Sequence, residues 1–134
     1  MATLADTNVL LDVATDDPRW ADWSIKALDK ASMEGAVVIN APIYAELSIG
    51  YERIEEVDRL LAATEVKLVE IPRAALFLAG KASQNYRRDG GTRTGVLPDF
   101  FIGAHAAVAE MPLISRDQRR YRKYFPTVRL IAPE

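Results

Sequence analysis

Short apolar runs alternate with helical stretches along the whole chain, and this alternation restricts the fold more than any other feature. Segments 2–6, 36–40, 67–71, 112–115 and 127–131 are rich in β-branched or aliphatic residues and read as strands. The periodic segments 8–14, 19–34, 42–50, 52–63, 72–88 and 98–110 read as helices between them. Pro42 and Pro72 fall in helix first turns, where a missing N–H costs nothing. Gly35 ends the second helix, and Asp89-Gly90-Gly91-Thr92 breaks the chain after the fifth. Strands separated by helices imply parallel pairing. The expectation is an α/β fold, a three-layer α/β/α sandwich around a mainly parallel sheet of about five strands, forming one domain over residues 1–134. The glycine-rich stretch 89–97 is the expected mobile loop.

Four acids sit at the ends of these runs. Asp6 closes the opening segment Ala2-Thr3-Leu4-Ala5, and Glu46 follows the run from Val37 to Pro42 by one helical turn. Asp99 opens an apolar helix, and Asp117 follows Leu113-Ile114-Ser115. In an open α/β sheet, ligands bind where the carboxyl ends of the strands meet the helices. Carboxylates gathered there, with no cysteine and one histidine in the chain, make an all-oxygen nest suited to Mg²⁺ or Mn²⁺. Two carboxylates 4 Å apart repel by roughly 4 kcal/mol at an effective dielectric near 20. A cluster of four therefore calls for a cation, or for protonation of some members.

Blander readings apply to each acid alone. Asp6 and Asp99 can cap helices, and Asp117 can be an ordinary turn residue. Glu46 resists such a reading, because it interrupts a segment that is otherwise apolar from Ala41 to Leu47.

Zero cysteines exclude a disulfide framework, thiolate zinc sites and thiol catalysis. No basic region followed by an apolar stretch opens the chain, and no run approaches the roughly 18 apolar residues of a membrane span. A cytoplasmic protein without membrane contact is expected. The net charge of −2 hides an asymmetry. Residues 1–60 hold 12 acids and 5 bases, whereas residues 61–134 hold 7 acids and 12 bases. Arg116, Arg119, Arg120, Arg122 and Lys123 crowd together, and Arg87, Arg88 and Arg93 form a second group. A cationic rim beside an anionic pocket suits a phosphodiester substrate with bridging metals; solvated helix faces are the alternative.

At this point the residues resemble a known family. Asp6-Thr7-Asn8-Val9-Leu10-Leu11-Asp12 is similar to the opening motif of PIN-domain ribonucleases, and Pro42-Ile43-Tyr44-Ala45-Glu46-Leu47 to their second. The segment from Pro98 to Ala106 resembles the third motif, and Leu113-Ile114-Ser115-Arg116-Asp117 followed by Tyr124-Phe125-Pro126 the last. Each motif alone is weak, but four in order over nearly the whole chain are specific. The small form carrying them looks like the VapC toxins of bacterial toxin–antitoxin pairs.

The resemblance implies a metal-dependent endoribonuclease with Asp6, Glu46, Asp99 and Asp117 as metal-binding acids. Ser115 would orient a ligand or water, and Asn8 would support Asp6. Cleavage would use a metal-activated water and leave 5′-phosphate and 3′-hydroxyl ends. The eight bases would steer RNA. The implied partners are the RNA substrate, a VapB-type antitoxin and a second copy of the chain. Gly103 stands where the family more often has alanine, which loosens the helix presenting Asp99. Asp12 reads as helix charge or support rather than a ligand. The single His105 cannot form an acid–base pair and reads as a packing residue.

Two helical stripes are core by default: Trp20, Trp23, Ala27 and Ala31, and Ile43, Tyr44, Leu47 and Tyr51. The family resemblance offers a second role, as the border of a groove for the antitoxin. The rival chemical reading is a haloacid-dehalogenase-like phosphohydrolase, which also opens on a strand ending in Asp. It needs a second Asp where Asn8 stands. A non-catalytic binding domain is the third reading.

Overall fold

Residues 1–93 and 96–134 are described by a computed structural model. The elements in chain order are β1 (Thr3–Ala5), α1 (Thr7–Ala14), α2 (Ala21–Glu34), β2 (Val37–Ile39), α3 (Ala41–Ser48) and α4 (Ile54–Thr64). They continue with β3 (Val66–Leu68), α5 (Arg73–Arg88), α6 (Leu97–Ala109), β4 (Leu113–Ile114), α7 (Arg119–Tyr124) and β5 (Leu130–Ile131). The five strands form one sheet in the order β3-β2-β1-β4-β5. Every pairing is parallel, and helices complete the α/β/α arrangement.

The strand order creates the position of the site. The chain leaves β1 towards β2 and β3, then crosses back to lay β4 on the other side of β1. Such a reversal opens a crevice beyond the carboxyl ends of the two central strands. Ala5 pairs with Ile114, so the next residue on each strand, Asp6 and Ser115, emerges into that crevice. The Asp6 amide still bonds the Ile114 carbonyl at 2.9 Å, which fixes the acid to the carboxyl end of the central strand.

Both central strands are buried on both faces, with Leu4, Ala5, Leu113 and Ile114 wholly inaccessible. Burial of each large aliphatic side chain contributes roughly 1.5–3 kcal/mol, so the strand ends are held rigidly. Asp6 caps α1 through a bond from the Thr7 amide. Asn40 caps α3 through one from Ile43. Pro42 and Pro98 occupy the first turns of α3 and α6.

All six expected helices and all five strands exist, the strands shorter than their apolar runs. The helix α7 departs from expectation. Its sequence Arg-Arg-Tyr-Arg-Lys-Tyr reads as a charge run, yet Tyr121 is buried and anchors it. Gly103 also departs from the expected loosening: a Cβ there would lie 2.3 Å from Phe125 Cδ2. The bare backbone at 103 is what admits the Phe125 ring against α6. The loop expected over 89–97 gives way to α6 at Leu97, and its residues 94 and 95 lie outside the described residues.

Candidate active site

Asp6 is the hub of a hydrogen-bonded cluster at the switch point. Its Oδ1 accepts from the Thr7 amide at 2.7 Å. Its Oδ2 accepts from Ser115 Oγ at 2.7 Å, Tyr121 Oη at 3.0 Å and Asn8 Nδ2 at 3.4 Å. Ser115 Oγ in turn accepts from the Asp117 amide at 3.0 Å and from Asn8 Nδ2 at 3.3 Å. Asn8 Oδ1 receives the Arg116 amide at 3.2 Å. One serine hydroxyl thus ties the first acid to the turn carrying the last.

Glu46 reaches the cluster through Thr7, whose hydroxyl donates to Glu46 Oε1 at 2.8 Å. Asp99, on the first turn of α6, accepts from Arg120 Nη1. The charges act on one another. Burial raises the Asp6 carboxyl above the usual range, the hydrogen bonds from Ser115, Tyr121 and Thr7 oppose it, and the Glu46 charge adds to the rise. Burial first, then the charge of Asp6, lifts Asp99 to about 6; Arg120 opposes and Asp117 adds to it. Tyr121, buried among Asp6, Asp99 and Asp117, has its phenol pushed well up. The crevice therefore disfavours the ionised forms of Asp6 and Asp99.

Placement is uneven. Asp6 is buried, Glu46 and Asp99 are half-buried, and Asp117 is exposed on its turn. Among the described residues, no three acids or histidines stand together so that they could hold a metal ion with the side chains as placed. A guanidinium, that of Arg120, lies on Asp99 instead.

The expected basic residues separate into groups. Arg93, Arg119, Arg120 and Lys123 surround one pocket beside Asp117. Arg122 bonds Gln118, the residue before its helix, at 3.0 and 3.3 Å, and lines a different hollow. Arg87 and Arg88 are exposed at the end of α5. Arg116 turns to Asp12, with bonds of 2.7 and 2.9 Å. Asp12 also accepts from Ser24 at 2.7 Å and so faces α2.

Thr7 and Tyr121 escaped the sequence reading. Thr7 stood inside the first motif, while Tyr121 was hidden among arginines. A larger hollow of about 490 Å³ lies at the amino ends of the strands, by Met1, Met111, Pro112 and Val128. It holds none of the four acids.

An acidic crevice at the switch point of a small parallel sheet defines the class of architecture. A PIN domain model matches residues 3–126, and the chain belongs to the PIN domain family. No curated protein matches it in sequence. Solved structures share the fold. A chain from the crystal structure of VapBC2 from Rickettsia felis, bound to a DNA fragment from their promoter, superposes with a TM-score of 0.75 at 18% identity. A chain of VapBC-1 from nontypeable Haemophilus influenzae gives 0.73 at 18%. One from a toxin–antitoxin complex of Klebsiella pneumoniae gives 0.70 at 20%. In all three the alignment covers 98% of each chain. No helix among the described residues is long and apolar enough to cross a membrane.

Proposed function

We propose that the chain is a metal-dependent endoribonuclease, the toxin of a VapBC-type pair, acting as a single cytoplasmic domain. The observation that supports this reading is the mutual electrostatic influence of the acids around the switch point, Glu46 on Asp6 and then Asp6 and Asp117 on Asp99, which adds to burial in raising two of them. The donor chemistry fits Mg²⁺ or Mn²⁺, since every candidate ligand is a carboxylate oxygen. Because no three acids among the described residues stand together as placed, holding an ion would require side chains to rearrange, with Arg120 giving up Asp99.

Those four acids would hold the ion, which when bound supplies charge relief to the phosphoryl group and a lowered pKa for water. The rest is work for the chain. Ser115, Tyr121 and the Thr7 amide aim Asp6 and favour its ionised form against the effect of burial by donating to it. The Thr7 hydroxyl holds Glu46 in place. The cationic rim draws the RNA backbone to the crevice. The single histidine is buried against Asn40, so a paired acid–base mechanism through the 2′-hydroxyl has no residues to use. The phosphohydrolase reading is disfavoured too, because Asn8, where that chemistry needs an acid, is bonded to Asp6 and Ser115.

The VapBC likenesses support a VapB-type antitoxin as partner, and a homodimer is part of the same reading. Incubating purified protein with RNA and Mn²⁺ or Mg²⁺ tests the enzyme. Cleavage should leave 5′-phosphates, stop in EDTA, and vanish in Asp6→Asn and Asp99→Asn proteins that still fold. Undiminished cleavage by Asp99→Asn protein would remove this mechanism, and no cleavage by the wild type would leave a binding domain.

A further inference from the structure

Beside the acids lies a pocket of about 240 Å³ whose walls are two tyrosine rings and several cations. Tyr86, near the end of α5, and Tyr124, at the end of α7, meet edge to face with centroids 6.1 Å apart. Phe100 backs both, at 5.6 and 5.5 Å. Their hydroxyls are tied down. Tyr124 donates to Asp89 at 3.0 Å, and Tyr86 accepts from the Arg93 amide at 3.3 Å. Gly91 leaves room for the Tyr86 ring, since a Cβ there would fall 2.4 Å from it. The rings are therefore fixed as surfaces, not free to fill the space between them.

The charge on the pocket's walls is mainly positive. Arg93, Arg119, Arg120 and Lys123 line the pocket with one acid, Asp117, among its walls; behind them Asp89 lies 3.8 Å from Lys123, whose ammonium is 5.3 Å from the Tyr124 ring centroid. The Arg120 guanidinium lies 5.7 Å from the Tyr86 ring centroid and bonds Asp99, so one residue joins this pocket to the acidic crevice. A volume below the roughly 300–1,000 Å³ of a drug-sized site suits a single base or nucleoside. Fixed aromatic faces with nearby cations are how proteins hold unpaired nucleotides: the base stacks and the phosphate meets the positive charge.

We propose that this pocket binds one unpaired nucleotide of the RNA next to the cleaved bond, its base on Tyr86 and Tyr124 and its phosphate between Arg93, Arg119 and Lys123. This inference rests on the nuclease reading for the identity of the strand, but not for the binding itself. An acidic peptide would use the cations and leave the rings idle.

The experiment uses the full chain in EDTA, titrated with nucleoside 5′-monophosphates, ribose 5-phosphate and inorganic phosphate, while NMR follows the tyrosine ring signals. Nucleotides should bind about tenfold more tightly than ribose 5-phosphate, the share expected of one stacked base, and should shift the Tyr86 and Tyr124 signals. Lys123→Ala should weaken nucleotide and ribose 5-phosphate alike; Tyr124→Leu, checked for intact fold, should weaken only the nucleotide. Equal affinity for nucleotide and ribose 5-phosphate, or unmoved ring signals, would overturn the proposal. Metal-dependent RNA cleavage without a ring response refutes the subsite alone. A ring response with no cleavage in Mn²⁺ supports the subsite and refutes the nuclease.

Discussion

Arg116 grips Asp12 with two prongs, Nε to Oδ2 at 2.7 Å and Nη2 to Oδ1 at 2.9 Å, across 104 residues of sequence. Its guanidinium also lies 5.1 Å from the Trp20 ring centroid. Asp12 is 3% exposed, Arg116 27%. The pair clamps α1 to the turn after β4 that carries Asp117. Arg116→Ala leaves a buried carboxylate unpaired, and stability should fall by about 2–3 kcal/mol. That is the low side for breaking a buried pair, because Arg116 keeps some access to water. Urea unfolding measures the loss. RNA affinity of the folded fraction should change less than in Lys123→Ala.

Asp99 supplies the second prediction. Burial and the neighbouring carboxylates disfavour its ionised form, and a bound divalent ion would offset that penalty. Mn²⁺ at about 100 times its Kd should stabilise the fold by about 2.7 kcal/mol, a shift in Tm on the order of 10 °C. Asp99→Asn should lose most of that shift, and its cleavage rate should drop by more than about a hundredfold, beyond the cost of losing a residue that only supports a ligand. An unchanged Mn²⁺ shift in that variant would show that Asp99 does not touch the ion.

His105 offers a clean pH probe, because the chain has one histidine. Asn40 Oδ1 accepts from the Ile43 amide at 3.3 Å, which turns Asn40 Nδ2 to His105 Nδ1 at 3.1 Å. The ring must accept there, so the neutral form carries its proton on Nε2. Burial holds its pKa below the ordinary 6.5. The associated stability is complete above the unfolded value and is lost as pH falls through it towards the lowered folded value. Asp99, lifted to about 6, works in the opposite sense. Its contribution is complete below the unfolded value of 3.8 and is lost as pH rises through 6. The imidazole proton signal should therefore be followed by NMR, and its midpoint should lie below 6.5.

The exposed sides of the two aromatic stripes give the fourth. Trp23, Ala27, Tyr44 and Tyr51 are half-buried against the core, whereas Ala31, Ile43 and Leu47 are fully inside. A hollow of about 250 Å³ opens between α3 and α4 beside Tyr44, Tyr51 and Ile54. Trp23→Ala and Tyr51→Ala should each weaken antitoxin binding by at least about tenfold, the usual weight of a buried aromatic anchor, with circular dichroism unchanged. Unfolding of both variants would assign the stripes to the core.

Legibility followed the range of the forces. The order of strands and helices was readable because apolar periodicity is local and the strands are short buried runs. The placement of Asp6 before α1 and of Asp99 in the first turn of α6 was readable because each stands at an element boundary. The salt bridges were not readable. Nothing in the row Arg116 to Lys123 tells which guanidinium reaches Asp12, which reaches Asp99 and which faces water. That depends on α7, whose single buried residue, Tyr121, is too little apolar signal to announce a helix. The pairing of Tyr86 with Tyr124 likewise joins two elements whose adjacency only the β1–β4 switch creates.

Gly103 carries the last prediction. Alanine at this position would gain up to about 1 kcal/mol of helix propensity in an unconstrained helix. Here its methyl would enter the Phe125 ring, at 2.3 Å from Cδ2 and 2.5 Å from Cε2. Phe125 is 3% exposed and packs on Phe100 with centroids 6.2 Å apart, so moving towards the hollow it lines with Pro126 and Val128 would cost that packing. Overpacking costs typically 1–3 kcal/mol, and the net loss for Gly103→Ala should be about 1–2 kcal/mol by urea unfolding. The same methyl pushes α6 from the end of α7, which separates Asp99 from Arg120 and Tyr121. Cleavage should fall in the folded variant, and a compensating Phe125→Leu should restore part of both. A Gly103→Ala protein more stable than the wild type would mean that Phe125 moves aside, and that glycine at 103 is not what holds the two helices in register.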